Sequence, residues 1–294
     1  MQTKSGKMLT WATRASVAVA LILLVVKLYA WFVTGSMGIL AALVDSLLDL
    51  GASIINLLAV RYSLMPADDE HRFGHGKAES LAGLAQSIFI ASSAIFLMMY
   101  TLERVVNPEL IESPDVGVWV MIFSMFLTIL LVAYQRKVVK ETGSVAIKAD
   151  SLHYATDLIT NLGILGGLLL YYMGWLYADP VIAFLIGLYI FKCSAKVAYD
   201  SVQLLLDREL PKDEQDTIHT LTMSHPAVIE VHDIRTRQSG QTKFIQLHLV
   251  MDRHLSLLDA HTFGDEVLAI IKKEYPEADI LIHQDPDTER EGEF

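Results

Sequence analysis

Six apolar runs, each close to the length of a bilayer's hydrocarbon core, occupy most of the first two thirds of the chain: residues 12–34, 38–63, 80–103, 116–135, 152–173 and 179–199. A helix needs ~20 apolar residues to cross that core, and backbone polar groups in lipid must be satisfied within the segment. Runs of this length therefore predict six transmembrane helices. The composition agrees, since 53% of the 294 residues are hydrophobic and the mean hydropathy is +0.40, too apolar for an ordinary soluble domain. An even number of spans returns both termini to one side.

Basic residues in the short connections give the expected orientation. Lys4 and Lys7 precede the first run and Arg14 lies near its start, while Arg61 lies near the end of the second run with Arg72 and Lys77 between it and the third. Arg136, Lys137, Lys140 and Lys148 lie between the fourth and fifth, and Lys192 and Lys196 close the sixth. The intervening connections, near 34–37, 107–115 and 173–180, carry no Lys or Arg. The alternation predicts cytoplasmic N- and C-termini. The first run is too long for the apolar region of a cleavable signal peptide, and the lone Cys193 offers no disulfide framework.

Two of these runs carry charge where charge is costly. Asp45 and Asp49 sit one helical turn apart in the second, and His153 and Asp157 repeat the spacing in the fifth, with Asn161 a further turn along. Ionisable groups inside a span rarely face lipid and mark ion or proton paths. Three carboxylates and one imidazole form the oxygen and nitrogen ligand set of one divalent cation. Such a set carries a formal −3 when empty and −1 when loaded, so an empty site takes up protons, with His153 the expected carrier and a crowded Asp raised into the same range the alternative. Lys27, well inside the first run, either snorkels or pairs with an acidic group. Glu79 is expected at the start of the third span.

Several activities are excluded on motif grounds. The Gly76-Lys77 step lacks the remainder of a phosphate-binding loop, and no His-Glu-x-x-His helix is present. Neither nucleophile nor general base stands near the metal set, so an enzyme is not expected. The net charge is −11, and residues from Arg208 onward hold 9 basic and 18 acidic groups, −9 of the total. That balance argues against nucleic acid and suits cations.

Periodicity changes after Asp207, predicting a membrane domain over 1–207 and a cytoplasmic domain over 208–294. A helix at 211–224, strands at 228–236 and 243–251 joined by a turn at 238–241, a helix at 257–274 and a strand at 278–283 give a small α+β domain of order αββαβ. His232, His248 and His283 fall one on each strand, with His261 near the start of the second helix and Asp285 beyond His283. Neighbouring strands lie ~4.8 Å apart, so such side chains can share one ion. His219, His225 and His254 have no partner by pattern and are expected at the surface. Between the second and third runs, Asp68, His71 and His75 either converge on another cation or form a solvated turn shaped by Gly74 and Gly76; the spacing leaves both open.

The segments Ala41-Ala42-Leu43-Val44-Asp45-Ser46-Leu47-Leu48-Asp49, Phe73-Gly74-His75-Gly76-Lys77-Ala78-Glu79 and Ala149-Asp150-Ser151-Leu152-His153-Tyr154-Ala155-Thr156-Asp157, with Arg235-Thr236-Arg237-Gln238-Ser239-Gly240 and His283-Gln284-Asp285-Pro286, together resemble the cation diffusion facilitators along essentially the whole chain. The resemblance implies a homodimer in a bacterial inner membrane that exports Zn²⁺ against proton entry by alternating access. It implies a transport site at Asp45, Asp49, His153 and Asp157 and a second site at Asp68, His71 and His75. It further implies a metallochaperone-like cytoplasmic domain that dimerises, with a binuclear zinc site on His232, His248, His261, His283, Gln284 and Asp285. Lys77 and Asp207 match the family's charge interlock. Zinc-strict members usually have His where this chain has Asp45, which widens the expected range to Cd²⁺, Fe²⁺ and Mn²⁺. The rival is a membrane-anchored metal sensor or storage protein, for which six spans with buried carboxylates are excessive.

Overall fold

The computed structural model describes residues 4–34, 37–106, 115–172 and 178–287. The chain forms two compact units, Met1–Val202 and Gln203–Phe294.

The first unit is built from α1 (Lys4–Thr34), α2 (Met37–Ser63), α3 (Lys77–Val106), α4 (Asp115–Thr142), α5 (Val145–Tyr172) and α6 (Ala178–Leu205). Among the described residues, five of these are long and apolar enough to cross a membrane. The other is α5, which bears Asp150, His153 and Asp157 and whose side chains from 163 onward lie outside the described residues. The helices outrun the apolar runs: α4 continues through Arg136, Lys137 and Lys140, and α6 continues to Leu205. Lys and Arg are good helix formers once clear of lipid, so charge ends the apolar run without ending the helix.

The connection between α4 and α5 is therefore only Gly143 and Ser144. Gly143 takes φ +66° and its N–H donates to the Val139 carbonyl at 2.8 Å, a left-handed cap that suits glycine. Ser144 Oγ accepts the Ile147 N–H at 3.2 Å and caps the start of α5.

Within this unit α1 packs against α2 and α4, α5 against α3 and α4, and α2 against α3. Small residues allow the closest approaches. A Cβ on Gly83 would fall 2.9 Å from Val145 Cγ1 and 3.0 Å from Ser201 Oγ, where α3 meets α5 and α6. The interior holds many polar side chains, with Ser16, Ser53, Gln135 and Asp150 buried beside apolar clusters such as Leu9, Val60 and Ile147, while Phe32, Phe96 and Leu130 point outward. Lipid solvates those outward groups, and interhelical hydrogen bonds hold the inner ones.

The second unit runs α7 (Lys212–Met223), β1 (Glu230–Ser239), β2 (Thr242–Met251), α8 (Leu257–Glu274) and β3 (Asp279–Pro286), the expected αββαβ order. Its sheet is ordered β1-β2-β3, with β1 antiparallel and β3 parallel to β2. The hairpin turn is tighter than the sequence suggests. Ser239 pairs with Thr242, leaving Gly240 and Gln241 as a two-residue loop, with Gly240 at φ +60° as primed turns require. Ile245, Leu247, Leu249 and Met251 alternate onto one face and pack with Ile218, Val267 and Ile271. The opposite face carries His248. Ser256 Oγ caps α8 by accepting the Asp259 N–H at 3.1 Å.

His225, expected at the surface, is instead buried and sits 2.7 Å from Glu266 Oε2 of α8. Its ring also contacts Phe263. A burial that depends on α8, some forty positions away, leaves no local trace in the sequence. His219 and His254 are exposed, as expected.

Candidate metal centres

The intramembrane pairs come from α2 and α5. His153 Nε2 lies 3.0 Å from Asp49 Oδ1, and one ligand atom each from Asp49, His153 and Asp157 lies within 4.8 Å of the others. Asp45, one turn before Asp49, is exposed and not among the three. Phe89 and Tyr154 flank the His153 ring, with centroids at 6.1 and 5.5 Å. Lys27 Nζ donates to the buried Ser46 Oγ at 2.6 Å, which turns it into the bundle beside Asp45. Glu79 is buried in the first turn of α3, where the positive end of the helix dipole favours a carboxylate.

The loop after α2 is ordered around Asp68. Its Oδ1 accepts the N–H groups of Glu70 and His71 at 3.0 and 2.6 Å, and its Oδ2 lies 3.3 Å from His75 Nε2. The His71 backbone N–H, first among several donors, holds the Asp68 carboxyl below the usual carboxylate range. His75 is buried against the rings of Tyr62 and His71, both centroids at 4.5 Å, and its Nδ1 has no hydrogen-bond partner among the described residues. Asp68, His71 and His75 each offer a ligand atom within 4.8 Å of the others. The three side chains are gathered together, with His75 buried and Asp68 and His71 exposed.

In the second unit the three strand histidines form a single row across the sheet, with His232 paired to His248 and His248 to His283. Asp285 lies on the same face. Its Oδ2 is 2.9 Å from His248 Nδ1 and 3.4 Å from His232 Nε2, and its Oδ1 is 3.2 Å from His283 Nε2. His232, His248 and Asp285 offer ligand atoms within 4.8 Å of one another, and His232 Nδ1 has no hydrogen-bond partner among the described residues. Three imidazoles and a carboxylate suit Zn²⁺.

Two of the six residues expected here are not brought to that face within one chain. His261 is on α8, which covers the opposite face, and it lies 3.6 Å from Asp265 Oδ2. Gln284 alternates away from His283 and Asp285, and its Nε2 would lie 2.3 Å from a Cβ on Gly264 of α8. Asp233, which alternation assigns to the core, instead joins the outer face, with Oδ2 3.8 Å from His248 Nε2. A bulge between His232 and Arg235, with Asp233 at φ +46°, shifts the strand's phase. The Arg235 side chain, donating at 2.9 Å, holds the Asp233 carboxyl below its ordinary range. Asp207 follows α6 at φ +57°, with Arg237 Nη1 3.2 Å from its Oδ1.

A polar-cored bundle of long apolar helices, carrying metal-ligating side chains and joined to a small α+β unit with its own histidine row, defines a multi-span membrane transporter of metal cations. The chain belongs to the cation efflux family, also called the cation diffusion facilitators. The family's model described as the cation efflux transmembrane domain matches residues 13–206, and that for the cation efflux protein cytoplasmic domain matches residues 210–287. The chain is similar to the cation-efflux pump FieF of Escherichia fergusonii, at 50% identity over 97% of this chain and 95% of that pump. It is similar also to FieF of Yersinia enterocolitica, at 49% over the same shares. A solved structure, the metal-bound C-terminal domain of the CzcD transporter from Thermotoga maritima, is 26% identical over 26% of this chain and 94% of its own, with a TM-score of 0.24.

Proposed function

We propose that the protein exports Zn²⁺ from the cytoplasm in exchange for protons, by alternating access, as a homodimer in a bacterial inner membrane with both termini cytoplasmic. The observation that carries this reading is the gathering of Asp49, His153 and Asp157 on two membrane helices. Two carboxylates and an imidazole carry a formal −2, which a divalent cation neutralises, so the loaded cluster is far less costly to hold inside a membrane than the ionised empty one. Protons returning to those ligands do the same for the empty cluster and drive metal release.

Asp45 supplies the fourth ligand, a third oxygen, when the cation is bound. With three carboxylates and one imidazole, the site accepts Cd²⁺ beside Zn²⁺ and leaves Fe²⁺ and Mn²⁺ within reach. Asp68, His71 and His75 form a second cation site. His232, His248, His283 and Asp285 hold a resident zinc that supplies a cross-strand anchor to the dimerising domain; His261 reaches such a centre only from another copy of the chain, and Gln284, packed against α8, does not join it.

Zn²⁺ flux into proteoliposomes under an imposed pH gradient tests this. Asp49→Ala and Asp157→Ala are each expected to reduce flux at least about 100-fold, a loss of the order seen when a ligand rather than a neighbour is removed. Unchanged flux in both would remove the site assignment, and flux indifferent to the gradient would remove the antiport.

A further inference from the structure

Asp150 lies on the α5 stripe that carries the metal ligands, three residues before His153 and seven before Asp157, and is completely buried. Three other helices grip its carboxylate. Oδ2 accepts from Ser16 Oγ of α1 at 2.6 Å and from Gln135 Nε2 of α4 at 2.7 Å, and Oδ1 accepts from Gln86 Nε2 of α3 at 3.2 Å. Gln135 Nε2 also lies 2.9 Å from Ser16 Oγ, so the donors order one another. The next α5 residue on this side, Tyr154, shares a 2.7 Å hydrogen bond with Ser53 of α2.

All three donors to Asp150 are neutral. A carboxylate enclosed by neutral donors costs more to bury than an amide of the same shape, so packing alone does not call for it. What the charge adds is strength and direction, because hydrogen bonds to an ionised acceptor are roughly twice as strong as neutral ones. Here they fix how far α5 is rotated and how high it stands against α1, α3 and α4.

Resting on the reading of Asp49, His153 and Asp157 as the transport cluster, we propose that Asp150 is its positioning residue, the clamp that sets α5 so that His153 and Asp157 meet Asp49 within one cation's reach. Partners that orient metal ligands are typically worth 10- to 100-fold in affinity or activity.

The test is Zn²⁺ transport by the full-length protein in proteoliposomes across a range of metal concentrations. Asp150→Asn is expected to raise KM for Zn²⁺ about 10- to 100-fold with a smaller change in kcat, because the ligands remain but are no longer presented together. Gln135 Oε1 has no hydrogen-bond partner among the described residues, so the reciprocal variant, Asp150→Asn with Gln135→Glu, returns a carboxylate and an amide to the same pair. It is expected to recover most of the lost affinity, which general loosening of the fold would not do. A wild-type KM in Asp150→Asn, or a folded double variant no better than the single one, overturns the proposal. Should Asp150→Asn fail to fold, Gln86→Leu takes its place with an expected KM rise of about 3- to 10-fold, and a wild-type KM there overturns it equally. Asp49→Ala run alongside separates the two readings. If Asp49→Ala is inactive while the Asp150 variants are normal, the clamp alone is refuted; if Asp49→Ala also transports normally, the cluster and the clamp fall together.

Discussion

Ile245, Leu247, Leu249 and Met251 fill the interior of the cytoplasmic unit and leave its histidine row at the surface, whereas the helical unit encloses Ser16, Gln135 and Asp150 and turns Phe32, Phe96 and Leu130 outward. The candidate metal-ligating side chains follow the same inversion. In water, His232, His248 and Asp285 can stand on an outer sheet face and remain accessible; in lipid, Asp49, His153 and Asp157 must turn inward, because unpaired charge has no solvent outside. The two interiors should therefore respond in opposite ways to the same substitution.

The largest expected effect is in the apolar interior. Leu249→Ala should cost the cytoplasmic unit ~2–5 kcal/mol, and Leu249→Asp, which adds an unpaired buried charge, should unfold it while the membrane helices stay folded. Hydrogen exchange over β2 in the full-length protein measures this, and protected β2 amides in Leu249→Asp would break the contrast. Next in size, His232→Ala combined with His283→Ala should weaken zinc binding at the sheet face by more than the ~10- to 100-fold typical of losing a partner that only orients a ligand, and remove any metal dependence of dimerisation. Calorimetric titration should then still show the intramembrane site binding as before; a change there would mean that the two units do not bind metal independently.

The smallest effect lies in the loop. The Asp68 carboxyl is held below its ordinary range, chiefly by the His71 N–H. A depressed acid stabilises the fold above its unfolded value, ~3.9 for Asp, and loses that contribution as pH falls through the lowered value. The loop should thus keep its hydrogen bonds from neutral pH down to about pH 4 and release them only below. Carboxyl carbon chemical shifts report the midpoint, and one at or above the ordinary Asp value would contradict the hydrogen-bonded geometry.

What the sequence made legible was local. Membrane runs and i,i+4 pairs are written into neighbouring residues, so the helical half, the gathering of Asp49, His153 and Asp157 and the αββαβ order were all readable. The Asp150 clamp was not, although its place on the ligand stripe was visible, because Ser16 and Gln86 lie 134 and 64 positions away and nothing in their own surroundings marks them. Asp233 escaped because period-two alternation assumes an unbroken ladder, and one bulge moves the core positions from Val231 to Ile234 and Thr236. Strand parity and α8 explain why His261 and Gln284 stand apart from the histidine row, which no count of histidines could show.

The two-residue link between α4 and α5 has a mechanical meaning. Two residues span at most ~7 Å, and the Gln135–Asp150 bond ties the same helices again farther along. In the alternating access proposed above, α4 would travel with α5 as one arm of a lever, and the sliding surface would lie elsewhere in the bundle.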